Sequence, residues 1–187
     1  MKNIILHCAV ILTLAFALQS CSKADDLVDD ITVPVPFSVP VTFDTQIPLS
    51  VTDTVNYVKT QPIPFNADIN AAIKSQYPAM SAANLKSAKL TQFKIQYKSS
   101  VAGIKLDVIN NARLYLRVEG QSDLLVATAS NNTSTDILNF TPDTTIELAD
   151  ILKTDQKYLI LEVQGKKIAS DQLTVTVDSA FRLLVGL

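Results

Sequence analysis

Tryptophan is absent from the 187 residues, histidine occurs once and cysteine twice. The histidine, His7, and one cysteine, Cys8, fall inside an apolar run over residues 4–18. Lys2 precedes that run, and Gln19-Ser20-Cys21 closes it. A positive start, a short apolar stretch and a small residue at the cut together make a secretory leader. A membrane-spanning helix needs about 20 predominantly apolar residues. This run is shorter and contains His7 and Thr13. Cleavage after Ser20 leaves no imidazole and only the Cys21 thiol. Ser-His-Asp and Cys-His catalysis are thereby excluded, along with zinc sites built on His or Cys. A disulfide framework is excluded as well.

Carboxylate chemistry fares little better. Glutamate is confined to Glu119, Glu147 and Glu162. A glycosidase needs two carboxylates facing across a cleft, with aromatic rings to stack on the sugar. Glu119 sits at a predicted strand end, Glu147 opens a predicted helical turn, and Glu162 points outward on a predicted strand. All three are expected at the solvated surface, so no enzyme, cofactor or catalytic residue is predicted. Asn66, Asp68 and Asn70 alternate like the start of a calcium loop, but its glycine and its final glutamate are replaced by Ala71 and Tyr77. No metal site is predicted. Lys and Arg number 16 against 18 Asp and Glu, with no basic stripe, which argues against a nucleic-acid partner.

What is present begins with Leu18-Gln19-Ser20-Cys21. It resembles the lipobox of bacterial lipoproteins, with Leu18 three places before the cut and Ser20 as the small residue. The resemblance implies that Cys21 becomes the mature N-terminus and carries acyl chains, so that the membrane is a partner through this anchor. Each buried methylene contributes about 0.8 kcal/mol, and stable anchoring takes more than one chain. Ser22-Lys23-Ala24-Asp25-Asp26 resembles the signal that sends Bacteroidetes-type lipoproteins to the cell surface, and Ser22 agrees with outer-membrane sorting. The plain reading of the same acids is a hydrated tether. Residues 1–20 are expected to be the leader, 21–30 a lipidated acidic tether and 31–187 one folded domain.

The domain has the alternation of β-strands. Ile31, Val33, Val35, Phe37, Val39, Val41 and Phe43 are apolar at period two, with Pro34, Pro36 and Pro40 between them. Proline cannot donate to a ladder, so this strand is predicted at a sheet edge or bending between two sheets. Ile47, Leu49, Val51, Val55 and Tyr57 suggest a second strand, interrupted at Thr52-Asp53-Thr54. Residues 66–75 predict a helix capped by Asp68 and stopped by Pro78. A strand over 88–97 needs a bulge near Thr91-Gln92 to bring Ala88 and Leu90 onto the side of Phe93, Ile95 and Tyr97. Residues 104–108 read as a short strand, Asn110-Asn111 as a turn, 112–118 and 124–129 as strands, and 130–134 as a loop. Residues 145–153 run into a helical turn, and 158–163 are apolar on both faces, as in a central strand. Leu173, Val175, Val177, Phe181, Leu183, Val185 and Leu187 share one parity. The expected fold is an all-β, antiparallel β-sandwich, jelly-roll or immunoglobulin-like, with one or two short helices.

The order of elements resembles uncharacterised Bacteroidetes-type outer-membrane lipoproteins with a β-sandwich behind the lipidated cysteine. The matching stretches are Asn110-Asn111-Ala112-Arg113-Leu114-Tyr115-Leu116, residues 145–153 and residues 175–187. They imply fold and compartment and bring no activity. Asp53-Thr54-Val55, Asp143-Thr144-Thr145 and Asp178-Ser179-Ala180 are similar to the O-glycosylation motif of such bacteria; Thr54 and Thr144 are the expected acceptors, since Ser179 lies inside a predicted strand. The resulting expectation is a non-enzymatic cell-envelope lipoprotein, structural, adhesive or an assembly partner at the outer membrane. The edge strand over 31–43 is its proposed partner surface, or else an ordinary edge kept soluble by prolines. The alternative is a glycan- or ligand-binding accessory of a surface uptake system, with Tyr57, Tyr97, Tyr115 and Tyr158 as stacking rings.

Overall fold

A computed structural model describes residues 37–186. The leader, Cys21, the acidic tether and the first part of the proline-interrupted strand lie outside the described residues. Among those described, the fold is all-β: nine strands form one curled antiparallel sheet in the order β1-β9-β4-β7-β6-β5-β8-β2, with β3 also on β8. Two short helices accompany it, α1 (Ile69–Gln76) and α2 (Ala149–Lys153). The first half holds β1 (Phe37–Val51), β9 (Ala169–Val185) and β4 (Leu85–Ser100). The second holds β6 (Leu124–Ala129), β5 (Ile109–Val118), β8 (Lys157–Gly165), β2 (Val58–Lys59) and β3 (Ile63–Pro64). Strand β7 (Ile137–Pro142) belongs to both halves. Its first residues pair with β4 and its last two with β6, so the halves are one hydrogen-bonded sheet bent over a common core. Phe65, Leu90, Phe93, Leu114, Leu116, Val126, Leu159 and Phe181 meet between them.

Strand β1 is a single strand where two were predicted. Its inward positions keep one parity from Phe37 to Val51, and its register with β9 runs unbroken from Phe37↔Leu183 to Val51↔Ala169. The polar stretch Asp44-Thr45-Gln46 changes the exposure of the strand without breaking its pairing. As predicted, β1 is an edge: β9 is its only ladder partner among the described residues, and Pro40 and Pro48 are tolerated there. The predicted bulge in β4 falls between Leu90 and Gln92, which leaves Ala88, Leu90, Phe93 and Ile95 all buried.

Two other predictions need correction, and one strand is not foreseen by the sequence pattern. Residues 104–108 do not make a strand, since Leu106–Val108 is a 3-10 turn. The approach to it is stapled by the Asp171 carboxylate, which accepts from the amides of Val101, Ala102 and Ile104 at 3.0–3.1 Å. Those amides therefore make no ladder. Asn110-Asn111 is not a turn but the bulged start of β5, where the Asn111 side chain bonds Gln164 across the sheet at 2.6 Å. Strand β7 was not predicted, because only Leu138 and Phe140 of its six residues are buried.

Helix α1 begins at Ile69 because Asp68 is its cap, accepting from the Ala71 amide at 2.8 Å; Ile69 and Ile73 face the core. Helix α2 is tied to β4 through Glu147. One oxygen of Glu147 accepts from the amides of Ala88, Leu148 and Ala149, the other from the Ser87 hydroxyl.

Candidate functional site: the outer face of the second half

Alternation on β5 sends Ala112, Leu114 and Leu116 into the core and Asn111, Arg113, Tyr115 and Arg117 outward. On β8, Leu159, Leu161 and Val163 go inward, leaving Tyr158, Ile160, Glu162 and Gln164 outside. The antiparallel register sets these outward residues opposite one another: Asn111↔Gln164, Arg113↔Glu162, Tyr115↔Ile160 and Arg117↔Tyr158. Facing residues of such a pair stand about 4.5–5.5 Å apart at Cβ, close enough for direct interaction. Beyond β8, strand β2 places Lys59 opposite Glu162. The turn after β5 supplies Asp123, and the bend before β2 supplies Tyr57.

These residues form one connected network. Asp123 accepts from Lys59 Nζ at 2.8 Å and from Arg117 Nε. Lys59 also reaches Glu162 Oε1 at 3.5 Å. The other Glu162 oxygen takes the Tyr115 hydroxyl at 2.8 Å and lies 3.5 Å from Arg113 Nη1. Two cations stand over aromatic rings, Arg113 over Tyr57 at 4.0 Å and Lys59 over Tyr115 at 5.2 Å. Beneath this layer Ile160 is fully covered, although it points away from the core.

The electrostatics follow from the contacts. The Arg117 guanidinium, and after it Lys59, hold the Asp123 carboxyl down at about 2. Asp123 in turn raises the Lys59 ammonium above its ordinary value. Burial first, and then the Glu162 carboxylate, push the Tyr115 hydroxyl up. A carboxylate pinned this low stays ionised near neutrality and has no proton to donate, so Asp123 is no general acid. With Glu119 beside Arg117, three carboxylates balance the three cations of this face. Beside it lies an open groove of about 420 Å³ lined by Pro62, Arg117, Glu119, Gly120 and Tyr158.

Among the tyrosines proposed as stacking rings, Tyr57, Tyr115 and Tyr158 come together on this one face. Tyr97 does not: it lies on β4, packs against the core, and its hydroxyl meets Ser100 at 3.0 Å. Glu162 corrects the prediction of a solvated side chain. Only 18% of it is exposed, because Lys59 of β2 and Arg113 and Tyr115 of β5 converge on it. Glu119 lines the groove, and Glu147 works as the staple of α2. Nothing in the sequence links Lys59 to Arg117 and Asp123, which lie some sixty positions away.

The predicted modification sites share one local structure. Asp53 accepts from the amide two residues on at 2.7 Å, and Asp143 does the same at 2.9 Å. This side-chain turn leaves Thr54 and Thr144 exposed at its apex. Ser179, in the third motif, is fully buried and donates to the Val41 carbonyl at 3.1 Å.

No protein-family model matches the chain, and no curated protein matches it. Solved structures similar to it include the 60-mer BFDV capsid protein, at 9% identity and a TM-score of 0.33, covering 83% of this chain and 97% of that one. The decameric BFDV capsid protein is similar at 11% identity and a TM-score of 0.31, covering 79% and 96%. Likeness at that level carries no argument about assembly or function.

Proposed function

We propose that this chain is a non-enzymatic lipoprotein of the cell envelope, anchored at the outer membrane through Cys21, whose β-domain docks an envelope protein on the outer face of its second half. The observation that carries the docking reading is the gathering of Tyr57, Tyr115, Tyr158, Arg113 and Arg117 over the sealed Ile160. Tyrosine and arginine dominate the energetics of protein interfaces, and a preordered layer loses little side-chain freedom on binding. Edge strand β1 supports docking less well. Pro40 and Pro48 remove two donors from it, and Asp44 lies midway between them.

The anchor is tested by fractionation: Cys21→Ala should move the protein to aqueous fractions or leave an unprocessed precursor. A processed Cys21→Ala protein still in the membrane fraction counts against the lipid. Docking is tested by recovery of an envelope protein from solubilised membranes, lost on Arg113→Ala with Tyr115→Ala. Glycan binding is the second reading, favoured by the groove that sets Tyr158 beside Arg117 and Glu119. Binding on a glycan array that Tyr158→Ala removes would establish it instead. Thr54 and Thr144 are the proposed O-glycosylation sites, and an unmodified intact mass of the native protein would end that part of the reading.

A further inference from the structure

Among the described residues, only Lys157 and Ser179 are both buried and polar or charged. Ser179 is accounted for by its bond to Val41. Lys157 is not so easily explained. It opens β8 on the inward parity of Leu159, Leu161 and Val163, a position that alternation reserves for an apolar side chain, and it is 8% exposed. An interior ammonium is costly unless it is fully hydrogen-bonded. Its Nζ donates only to the Thr154 carbonyl, at 2.9 Å, whereas an ammonium has three donors.

The side chain borders an open pocket of about 430 Å³ near α1 and α2, lined also by Asn66, Asp68, Asn70, Lys153 and Asp155. Two of these already have structural duties: Asp68 caps α1, and Asn70 accepts from the Ala82 amide at 3.0 Å. Burial draws the Lys157 ammonium below its ordinary value, while Asp155 and Asp68 oppose the shift. An anionic ligand would meet the two aspartates, and a cationic one the two lysines. A neutral molecule meets neither penalty. Lysines withdrawn from water are the ones that serve as amine nucleophiles.

We propose that Lys157 is a reactive amine in a binding site for small neutral aldehydes and ketones, which it holds as a reversible imine. The neutral Nζ forms a bond to the carbonyl carbon, and the π pair moves to oxygen, which takes up a proton. The carbinolamine then releases that oxygen as water while the nitrogen lone pair closes the C=N bond. The amine's two protons both end on that departing oxygen, so amine and carbonyl become imine and water with no proton left over, and Asp155, which lines the same pocket, is the carboxylate that can relay them. No oxidant or reductant takes part, and water reverses the reaction.

The test uses the full chain with glyceraldehyde and cyanoborohydride near neutral pH, followed by peptide mass spectrometry. Lys157 should acquire the trapped adduct about tenfold faster than exposed Lys74, Lys86 and Lys167, the behaviour of an amine activated by withdrawal from water. Lys157→Arg, which retains a donor for the Thr154 carbonyl, should lose that fast adduct with its thermal melting unchanged. Labelling of Lys157 at or below the rate of the exposed lysines would overturn the proposal. Those wild-type rates decide the matter whether or not the arginine variant folds.

Discussion

On the first half of the sheet, the outward side chains of β1, β9 and β4 include Ser38, Thr42, Gln46, Thr174, Thr176 and Gln96, and the charges among them pair off locally. Lys94 meets Asp178 at 2.9 Å, and Lys98 meets Asp44 at 2.7 Å. On the second half, Lys59 joins Asp123 to Glu162, and Glu162 joins Tyr115 to Arg113. Both faces obey the same alternation. The first is a set of separable contacts on a solvated surface, where each exposed pair is worth about 0–1 kcal/mol. The second is a layer in which removing one member strands several others. The comparison teaches that an outward strand position is not automatically a solvated one: what the neighbouring strands set beside it decides.

Binding should separate the two faces most widely. Arg113→Ala with Tyr115→Ala should abolish recovery of an envelope partner, and Lys94→Ala with Lys98→Ala should leave it intact. Equal loss from both pairs of variants would erase the distinction. Stability should separate them next. Asp123→Ala strands Lys59 and Arg117 and should cost about 1–2 kcal/mol in denaturant melts, allowing for solvent screening of the exposed partners. Asp44→Ala, on the open first face, should give no measurable change.

Acid should sharpen the contrast further. The Asp123 carboxyl titrates at about 2 in the folded chain, below an unfolded value of about 3.9. Its contribution is therefore fully present above the unfolded value and is lost as pH falls through the folded one. Melts between about pH 4 and pH 2 should show this loss, and Asp123→Asn should remove that part of the pH dependence. The smallest effect is a coupling: a double-mutant cycle on Tyr115→Phe and Glu162→Gln should return about 0.5–1 kcal/mol. A coupling near zero would mean that the network is no more than a row of independent contacts.

Much of the fold was legible because burial in a sheet imposes a period on the sequence. The parity of β9, the shift at Leu90/Gln92 and the cap at Asp68 all follow from local pattern. What escaped has physical causes too. Strand β7 buries only two side chains, and the approach to 104–108, with Ile104 itself, gives its amides to Asp171, a carboxylate some seventy residues away in sequence. The charged face was legible only in part. Alternation put Glu162 and Tyr115 outside, but their convergence with Lys59 and Asp123 depends on which strands become neighbours. Lys157 carried a signal that could have been used, because it shares parity with Leu159 and Leu161 once β8 is extended back by one residue.

The pairing of β1 with β9 has a consequence in time. Val41 and Ser179 meet although they lie 138 positions apart in sequence, so the strand made earliest among those described must wait for the last one to be synthesised. Contacts of that sequence separation form slowly, since the chain between must be ordered before they are rewarded. Throughout that delay β1 is a long apolar-patterned segment with neither edge occupied, the kind of species that aggregates. Pro40 and Pro48 interrupt any ladder it could offer another chain. The two prolines thus protect the newborn chain during its wait as much as the finished domain.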